Sequence, residues 1–277
     1  MPNRPTNQLD ALVESVRASA KYQAISEDLI RGVGQRELAA RKNLKEAIKA
    51  TKNKLHQVAG AFLDARPPYA AWLTELCAAA NDPAALRAAC AEIMQHHAST
   101  RERLPTLAAF YTEIFAQLPP VSSVLDVACG LNPLACAWMP LAPGAHYAAC
   151  DLYADMIEFL NAFFPLAGVN GHAFVCDVVS SPPRQPADIA LVLKALPTID
   201  QLVKKGGRML LRALNTRFML VSFPAQSLGG HAKHMGTHYA QRFTALAAEE
   251  GWPIMARLEG AGEVAFLVRK QATETNE

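Results

Sequence analysis

Three short apolar runs, each closing on an aspartate, constrain this chain more than any other feature. The first is Ser123-Val124-Leu125-Asp126-Val127-Ala128-Cys129-Gly130-Leu131-Asn132-Pro133. The second spans 145–151 (AHYAACD) and the third 172–177 (HAFVCD), so that Asp151 and Asp177 fall 25 and 51 residues after Asp126. A β-branched, apolar run that ends in an acidic residue and a glycine reads as a buried strand turning sharply into a loop. Glycine at such a turn lets the backbone approach a ligand closely. In open α/β sheets, ligands bind beyond the carboxyl ends of the strands, where the strand order reverses.

The spacing suits an adenosyl ligand. A carboxylate at the second strand end accepts hydrogen bonds from ribose hydroxyls, and one at the third meets the adenine edge. Asp151 and Asp177 take these two places. A G-x-G-x-x-G fingerprint is absent, because Gly130 is followed by Leu131-Asn132-Pro133. Without that pyrophosphate cradle, S-adenosylmethionine (SAM) fits better than NAD, since its amino-acid tail needs donors for a carboxylate only.

A chain of 277 residues with 51% apolar and 19% charged side chains can bury a full core, as one large domain or a domain with an extension. No apolar run reaches the roughly 18 residues of a membrane span, and residues 1–10 lack a signal-peptide core. A cytoplasmic protein with no membrane partner is expected. Six cysteines without a C-x-x-C pair point to reduced thiols and to no zinc site. The net charge of +2 is unevenly spread: 11 basic and 6 acidic residues in 1–60, 2 and 7 in 121–200, and 7 and none in 201–242. Basic flanks can hold a polyanion while an acidic middle suits the sulfonium and ammonium of SAM, although ordinary solvated faces give the same counts.

Helices are expected over 9–31 and 36–63, the second with Leu44, Ile48, Leu55, Val58 and Phe62 as an apolar stripe. Lys42, Lys45, Lys49 and Lys52 run beside the stripe, with Lys54 and His56 close by. Such a ridge can track a nucleic-acid backbone, and a solvated helix face looks the same in sequence. Further helices are expected over 69–80 and 83–95, with Asn81-Asp82 as turn and cap. Residues 96–105 (HHASTRERLP) are expected to form a functional loop, because Pro105 interrupts the helix that Ser99 and Glu102 would start. Its arginines can hold a carboxylate bidentately.

From Val121 onward, strands are expected at 123–127, 146–150, 172–176, 187–193, 208–214, 218–223 and 264–269. Helical stretches near 133–138, 153–164, 195–202 and 239–250 alternate with them. Alternation on this scale implies a mainly parallel sheet with right-handed crossovers. Residues 224–238 are rich in breakers and read as a surface loop, and those after about 271 as a disordered tail. His231, His234 and His238 have no carboxylate or thiol nearby in that segment, which favours loop or RNA contacts over a metal cluster.

These residues resemble a known family, the aminoglycoside-resistance 16S rRNA (guanine(1405)-N(7))-methyltransferases. The resemblance runs from Lys21-Tyr22-Gln23 through Thr51-Lys52, Leu55-His56 and Gly60-Ala61-Phe62-Leu63 to Ser99-Thr100-Arg101-Glu102-Arg103-Leu104-Pro105. It continues through Ala128-Cys129-Gly130-Leu131-Asn132-Pro133-Leu134, Leu193-Lys194, Leu196-Pro197, Ser222-Phe223-Pro224 and Ser227-Leu228-Gly229, then Lys233 and Met235. It implies an α/β, class I SAM-dependent methyltransferase fold, Rossmann-like with a mainly parallel sheet, behind an all-helical N-terminal extension. The extension, 1–105, would dock rRNA, and 106–277 would bind SAM.

The resemblance places SAM contacts at Phe62, His97, Ala98, Ser99, Arg103, Ala128, Gly130, Asp151, Leu152, Asp177, Val178 and Leu193. Docking to 16S rRNA in the 30S subunit, by a monomer without metal, falls to Lys45, Lys49, Lys52, Lys54, His56, Lys233 and Met235. The chain departs from the family pattern at Asp200 (Glu in relatives), Leu202 (Gln), Ala59 (an aromatic) and Gln226 (Lys). Guanine N7 carries a free lone pair, so methyl transfer needs alignment and exclusion of water but no general base. Lys194 would hydrogen-bond to O6 or a phosphate, or form a structural salt bridge, and Asp200 would stabilise the cation formed on the base. Two other readings stand beside this one: a SAM enzyme for a small molecule, with no use for the lysine ridge, and a non-catalytic RNA-binding protein that binds no SAM.

Overall fold

The computed structural model describes residues 4–59, 67–225, 235–260 and 262–270. Helices α1 (Arg4–Arg17), α2 (Glu27–Ala40) and α3 (Leu44–Ala59) pack around Leu12, Val16, Leu29, Ile30, Val33 and Leu55. The expected helix over 9–31 is broken between α1 and α2. Ser26 N–H donates to the Leu152 carbonyl and Ala154 N–H to the Ala24 carbonyl, both at 3.0 Å, so Ile25 forms a bridge with Tyr153. Backbone pairing with a distant loop overrides a periodicity that would otherwise carry on. The helix expected from 36 is likewise divided, because Asn43 starts α3 afresh. Its Oδ1 accepts Glu46 N–H at 2.9 Å while its Nδ2 donates to the Glu46 carboxylate at 3.1 Å, a reciprocal N-cap.

Helices α4 (Tyr69–Ala79) and α5 (Pro83–Met94) form as expected, with Asp82 capping α5 through Ala84 N–H at 2.8 Å. Their Trp72, Leu76, Cys90, Ile93 and Met94 share one core with the sheet rather than with α1–α3. Residues 4–59 thus have a core of their own, which Leu202 from later in the chain also joins. The expected loop at 96–105 is instead a short helix, α6 (Ala98–Arg103), and a 3₁₀ turn, Leu104–Thr106. Pro105 falls beyond the last turn of α6, where its missing N–H removes no helical hydrogen bond. Helix α7 (Leu107–Phe115) leads into the sheet.

The strands are β1 (Ser123–Val127), β2 (His146–Asp151), β3 (Asn170–Val175), β4 (Ala187–Leu193), β5 (Thr216–Pro224), β6 (Ile254–Gly260) and β7 (Glu263–Arg269). They run in the order β3-β2-β1-β4-β5-β7-β6. The first five are parallel, and β7 is antiparallel to both β5 and β6. Both faces of the sheet are covered, so the central strands are apolar almost throughout. Helices α8 (Ala154–Leu166), α9 (Leu196–Leu202), α10 (Gly206–Ala213) and α11 (Met235–Glu250) complete the fold.

Two further elements differ from expectation. The apolar run 208–214, read as a strand, is α10. Leu210, Leu211 and Leu214 turn inward at helical spacing while Met209 is 59% exposed, a pattern that short apolar runs leave ambiguous. Strand β6 went unread because it is an edge strand with only partial burial and no regular alternation.

Candidate active site

Beyond the carboxyl ends of β1–β4 lies a cleft, open at its mouth. It stands where the strand order reverses, between β1 and β4. The residues that follow these two strands, Ala128 (φ 53°) and Lys194 (φ 58°), are both left-handed without being glycine. Local strain of this kind persists only where the surroundings enforce it, and it gathers at ligand sites.

Of the residues assigned to SAM, nine line the cleft: His97, Ser99, Ala128, Gly130, Asp151, Leu152, Asp177, Val178 and Leu193. Lys194 lines it too, and so do residues that sequence reading missed, among them Leu29 from α2 and Ile199 and Leu202 from α9. Leu202, one of the departures from the family pattern, thus joins the cleft wall to the core of α1–α3. Ala98 and Arg103 are buried behind the lining. Phe62 and Lys233 lie outside the described residues, and of Met235 only the backbone is described.

Asp177 engages only one of its two carboxylate oxygens. Its Oδ1 accepts the N–H of Val179 at 3.0 Å and of Ser180 at 3.4 Å, while its Oδ2 is buried without a hydrogen-bond partner. That Oδ2 is closed off from water on the side of Gly32 of α2, and a buried carboxylate oxygen without a donor is costly. Asp151 accepts Gly130 N–H at 2.9 Å on Oδ2 and Leu152 N–H at 2.6 Å on Oδ1. Burial raises its pKa against the pull of those amides, and each oxygen keeps a second lone pair for a ribose hydroxyl.

Gly130 has φ +50°, and a Cβ there would lie 2.5 Å from Nε2 of the His97 ring. Burial, reinforced by the charges of Arg103 and Lys194, pushes the His97 pKa down to about 4, so the imidazole is neutral near pH 7. The lining near Gly130 therefore includes a neutral imidazole ring.

Beneath it runs a buried polar network. Arg103, fully buried, grips Glu263 with Nε at 2.6 Å and Nη2 at 2.8 Å, and its Nη1 donates to Asn132 Oδ1 at 3.1 Å. Asn132 Oδ1 also accepts the Tyr111 hydroxyl at 2.6 Å, and its Nδ2 donates to Asp126 at 2.8 Å. Lys194 Nζ meets Glu102 at 2.5 Å and lies 3.8 Å from Glu263, so the structural salt bridge foreseen for it is present.

Asp126, the acid that closes the first apolar run, faces this network instead of the cleft. Burial pushes its pKa up to about 7, against hydrogen bonds from Asn132 and Tyr147 that favour the anion. The folded value lies above the unfolded 3.8, so native Asp126 holds its proton more tightly. Its contribution to stability is complete below about pH 4 and is lost as pH rises through 7, a swing of about 4 kcal/mol at most. Asp126→Asn is expected to melt higher than the wild type at pH 8 and to keep less than half of that advantage at pH 5. Equal differences in Tm at the two pH values would show that the buried carboxylate ionises without penalty.

Two assignments need correcting. Asp200 does not line the cleft. It is exposed, and its Oδ1 accepts Gly207 N–H at 2.9 Å, capping α10 beside a separate pocket with Lys205 and Arg208. The buried side chains of α9 are Leu196, Ile199 and Leu202, and Asp200 is off the cleft lining. The lysine ridge is also divided. Lys52 donates to Ser19 at 2.9 Å and Lys54 pairs with buried Glu37 at 2.8 Å, leaving Lys42, Lys45 and Lys49 as exposed cations, with exposed His56 two turns further on. In the basic stretch 201–242, Arg208 pairs with Glu249 and Glu250, and Arg212 with Glu250.

The model of a ribosomal RNA methyltransferase family (FmrO) matches residues 18–265. The chain belongs to this ribosomal RNA methyltransferase family. It is 38% identical over 270 residues to a 16S rRNA (guanine(1405)-N(7))-methyltransferase of Micromonospora echinospora, covering 96% of this chain and 98% of that protein. A protein of the same name from Frankia casuarinae is 40% identical over 267 residues, 95% of this chain and 94% of that one. Among solved structures, the 16S rRNA methyltransferase RmtF in complex with S-adenosyl-L-homocysteine superposes with a TM-score of 0.81 at 26% identity, covering 98% of this chain and all of that one. The 16S rRNA methylase RmtB gives 0.77 at 29% identity, covering 95% and 98%. As a ribosomal RNA methyltransferase, the chain is a SAM-dependent enzyme with the class I fold and N-terminal helices expected from its sequence. No helix among the described residues is long and apolar enough to cross a membrane.

Proposed function

We propose that this chain methylates N7 of guanine 1405 of 16S rRNA in the assembled 30S subunit, acting as a cytoplasmic monomer and using SAM. The meeting of Asp151 and Asp177 on the lining of one cleft beyond the strand ends carries the cofactor part of this reading. When bound, SAM supplies an electrophilic methyl group on a sulfonium. The chain's own residues hold and align. Asp177 meets adenine and Asp151 the ribose, while Leu29, Leu193 and Leu202 exclude water from the cleft. Lys194, at the strained end of β4, shares its ammonium between Glu102 and O6 of the guanine. A paired guanine must leave its stack to reach the cleft, and contacts with the subunit offset that cost.

Incubation with labelled SAM and either intact 30S subunits or naked 16S rRNA tests the whole reading. Label confined to one guanine N7 on subunits is expected, and label on naked rRNA alone would remove the assembled subunit from it. Asp177→Asn tests the cofactor part. With the asparagine oxygen held by the Val179 and Ser180 amides, its NH₂ opposes the adenine amine, and SAM affinity is expected to fall by about tenfold or more, roughly 1.4 kcal/mol. Unchanged affinity by calorimetry would remove Asp177 from the site.

The docking part rests on Lys42, Lys45 and Lys49. Their joint replacement by Glu is expected to weaken subunit binding and flatten its salt dependence by about three counterions' worth of slope, with SAM binding intact. Lys52→Ala and Lys54→Ala should act mainly through the stability of α1–α3. If methylation of subunits by the triple variant matches the wild type at every salt concentration, the ridge is only a solvated face.

A further inference from the structure

We infer that Glu263, the first residue of β7, is a positioning residue for the amino-acid tail of the cofactor. This inference rests on the SAM reading above. Asp177 and Asp151 take the adenine and ribose, which leaves the tail to the part of the cleft lined by His97, Gly130 and Lys194. Glu263 is 4% exposed and does not line the cleft. It acts there along two routes.

The first route runs through Arg103. Both carboxylate oxygens of Glu263 are engaged by one guanidinium, at 2.6 and 2.8 Å, which fixes its plane as a single contact cannot. The third nitrogen of that guanidinium then holds Asn132 Oδ1 at 3.1 Å, and Asn132 closes the turn that carries Ala128 and Gly130. The second route runs through Lys194, whose ammonium lies 3.8 Å from Glu263 Oε2 at the end of β4. Ser222 on β5 steadies the carboxylate by donating to the same Oε2 at 2.9 Å. One anion thus ties α6, the turn after β1 and the end of β4 together at the switch point. Isolation of a buried carboxylate from water is tolerated only with such complete pairing.

Glu263→Gln keeps the volume but replaces one acceptor oxygen by an NH₂ that faces a guanidinium N–H, so the grip on Arg103 is lost. The measurement compares two ligands, S-adenosylhomocysteine and 5′-methylthioadenosine, which lacks the amino-acid tail. The wild type is expected to prefer the tailed ligand. In Glu263→Gln that preference should shrink by about tenfold or more, with 5′-methylthioadenosine affinity within about twofold of wild type. Equal losses for both ligands, or no loss for either, would overturn the inference, since a merely structural residue does not discriminate by tail. A wild type that binds both ligands alike would overturn the cofactor reading itself, a distinct failure. If Glu263→Gln does not fold, Ser222→Ala decides: it leaves the bidentate pair in place, and a smaller loss of the same selectivity is expected. Unchanged selectivity in that variant counts against the inference.

Discussion

Expression of this chain in a susceptible bacterium is expected to produce strong resistance to gentamicin and kanamycin, with sensitivity to neomycin and apramycin retained. A methyl on N7 of the guanine adds a positive charge and bulk to its major-groove edge and removes the acceptor that a drug hydroxyl or ammonium would use. Deoxystreptamines substituted at positions 4 and 6 set their third ring against that edge, as the family likeness implies, while those substituted at 4 and 5, and apramycin, do not. Lys194→Ala is expected to abolish the resistance while soluble protein persists, because the side chain at the end of β4 is the one lysine among the described residues lining the cleft. Resistance that extends to apramycin would point to a neighbouring adenine N1 instead. No resistance at all, despite good expression, would mean a different RNA target.

The strand-end grammar of this fold was legible in the sequence because it is local. Val124, Leu125 and Val127 announce a buried strand, Gly130 the turn, and the spacing of Asp151 and Asp177 two strand ends that meet at one cleft. What escaped was set by partners distant along the chain. Nothing near Ile25 says that it will bridge Tyr153 and end a helix. Nothing near Arg103 says that its guanidinium will meet Glu263, 160 residues away, rather than stand bare in the cleft. One signal was available: Glu263 opens the otherwise apolar run Val264 to Val268, and an acid leading a strand buried on both faces must find a buried cation. Asp126 was given no ligand by the sequence, and its partners too were not legible. Strand alternation aims it at Tyr147 and Asn132.

Gly130→Ala is expected to reduce SAM binding by about 100-fold or more, roughly 2.7 kcal/mol, through two separable terms. A left-handed φ of +50° at this position costs an L-residue about 1–2 kcal/mol. The added methyl would also stand 2.5 Å from Nε2 and 2.8 Å from Cε1 of the His97 ring. That ring is not the free end of a flexible side chain. His97 is buried at the start of α6, where Thr100 hydrogen-bonds to its carbonyl at 3.1 Å, so relief must come from moving α6 or the turn that Asp151 holds through Gly130 N–H. Either movement displaces the cleft lining. Replacing the ring in the double variant His97→Ala with Gly130→Ala removes the clash and leaves the backbone term alone. The alanine at 130 should therefore lower affinity much less in the His97→Ala background than in the wild type, a coupling of about 1 kcal/mol or more in a double-mutant cycle. Additive losses would show that the ring and the glycine do not meet, and that backbone conformation alone demands glycine there.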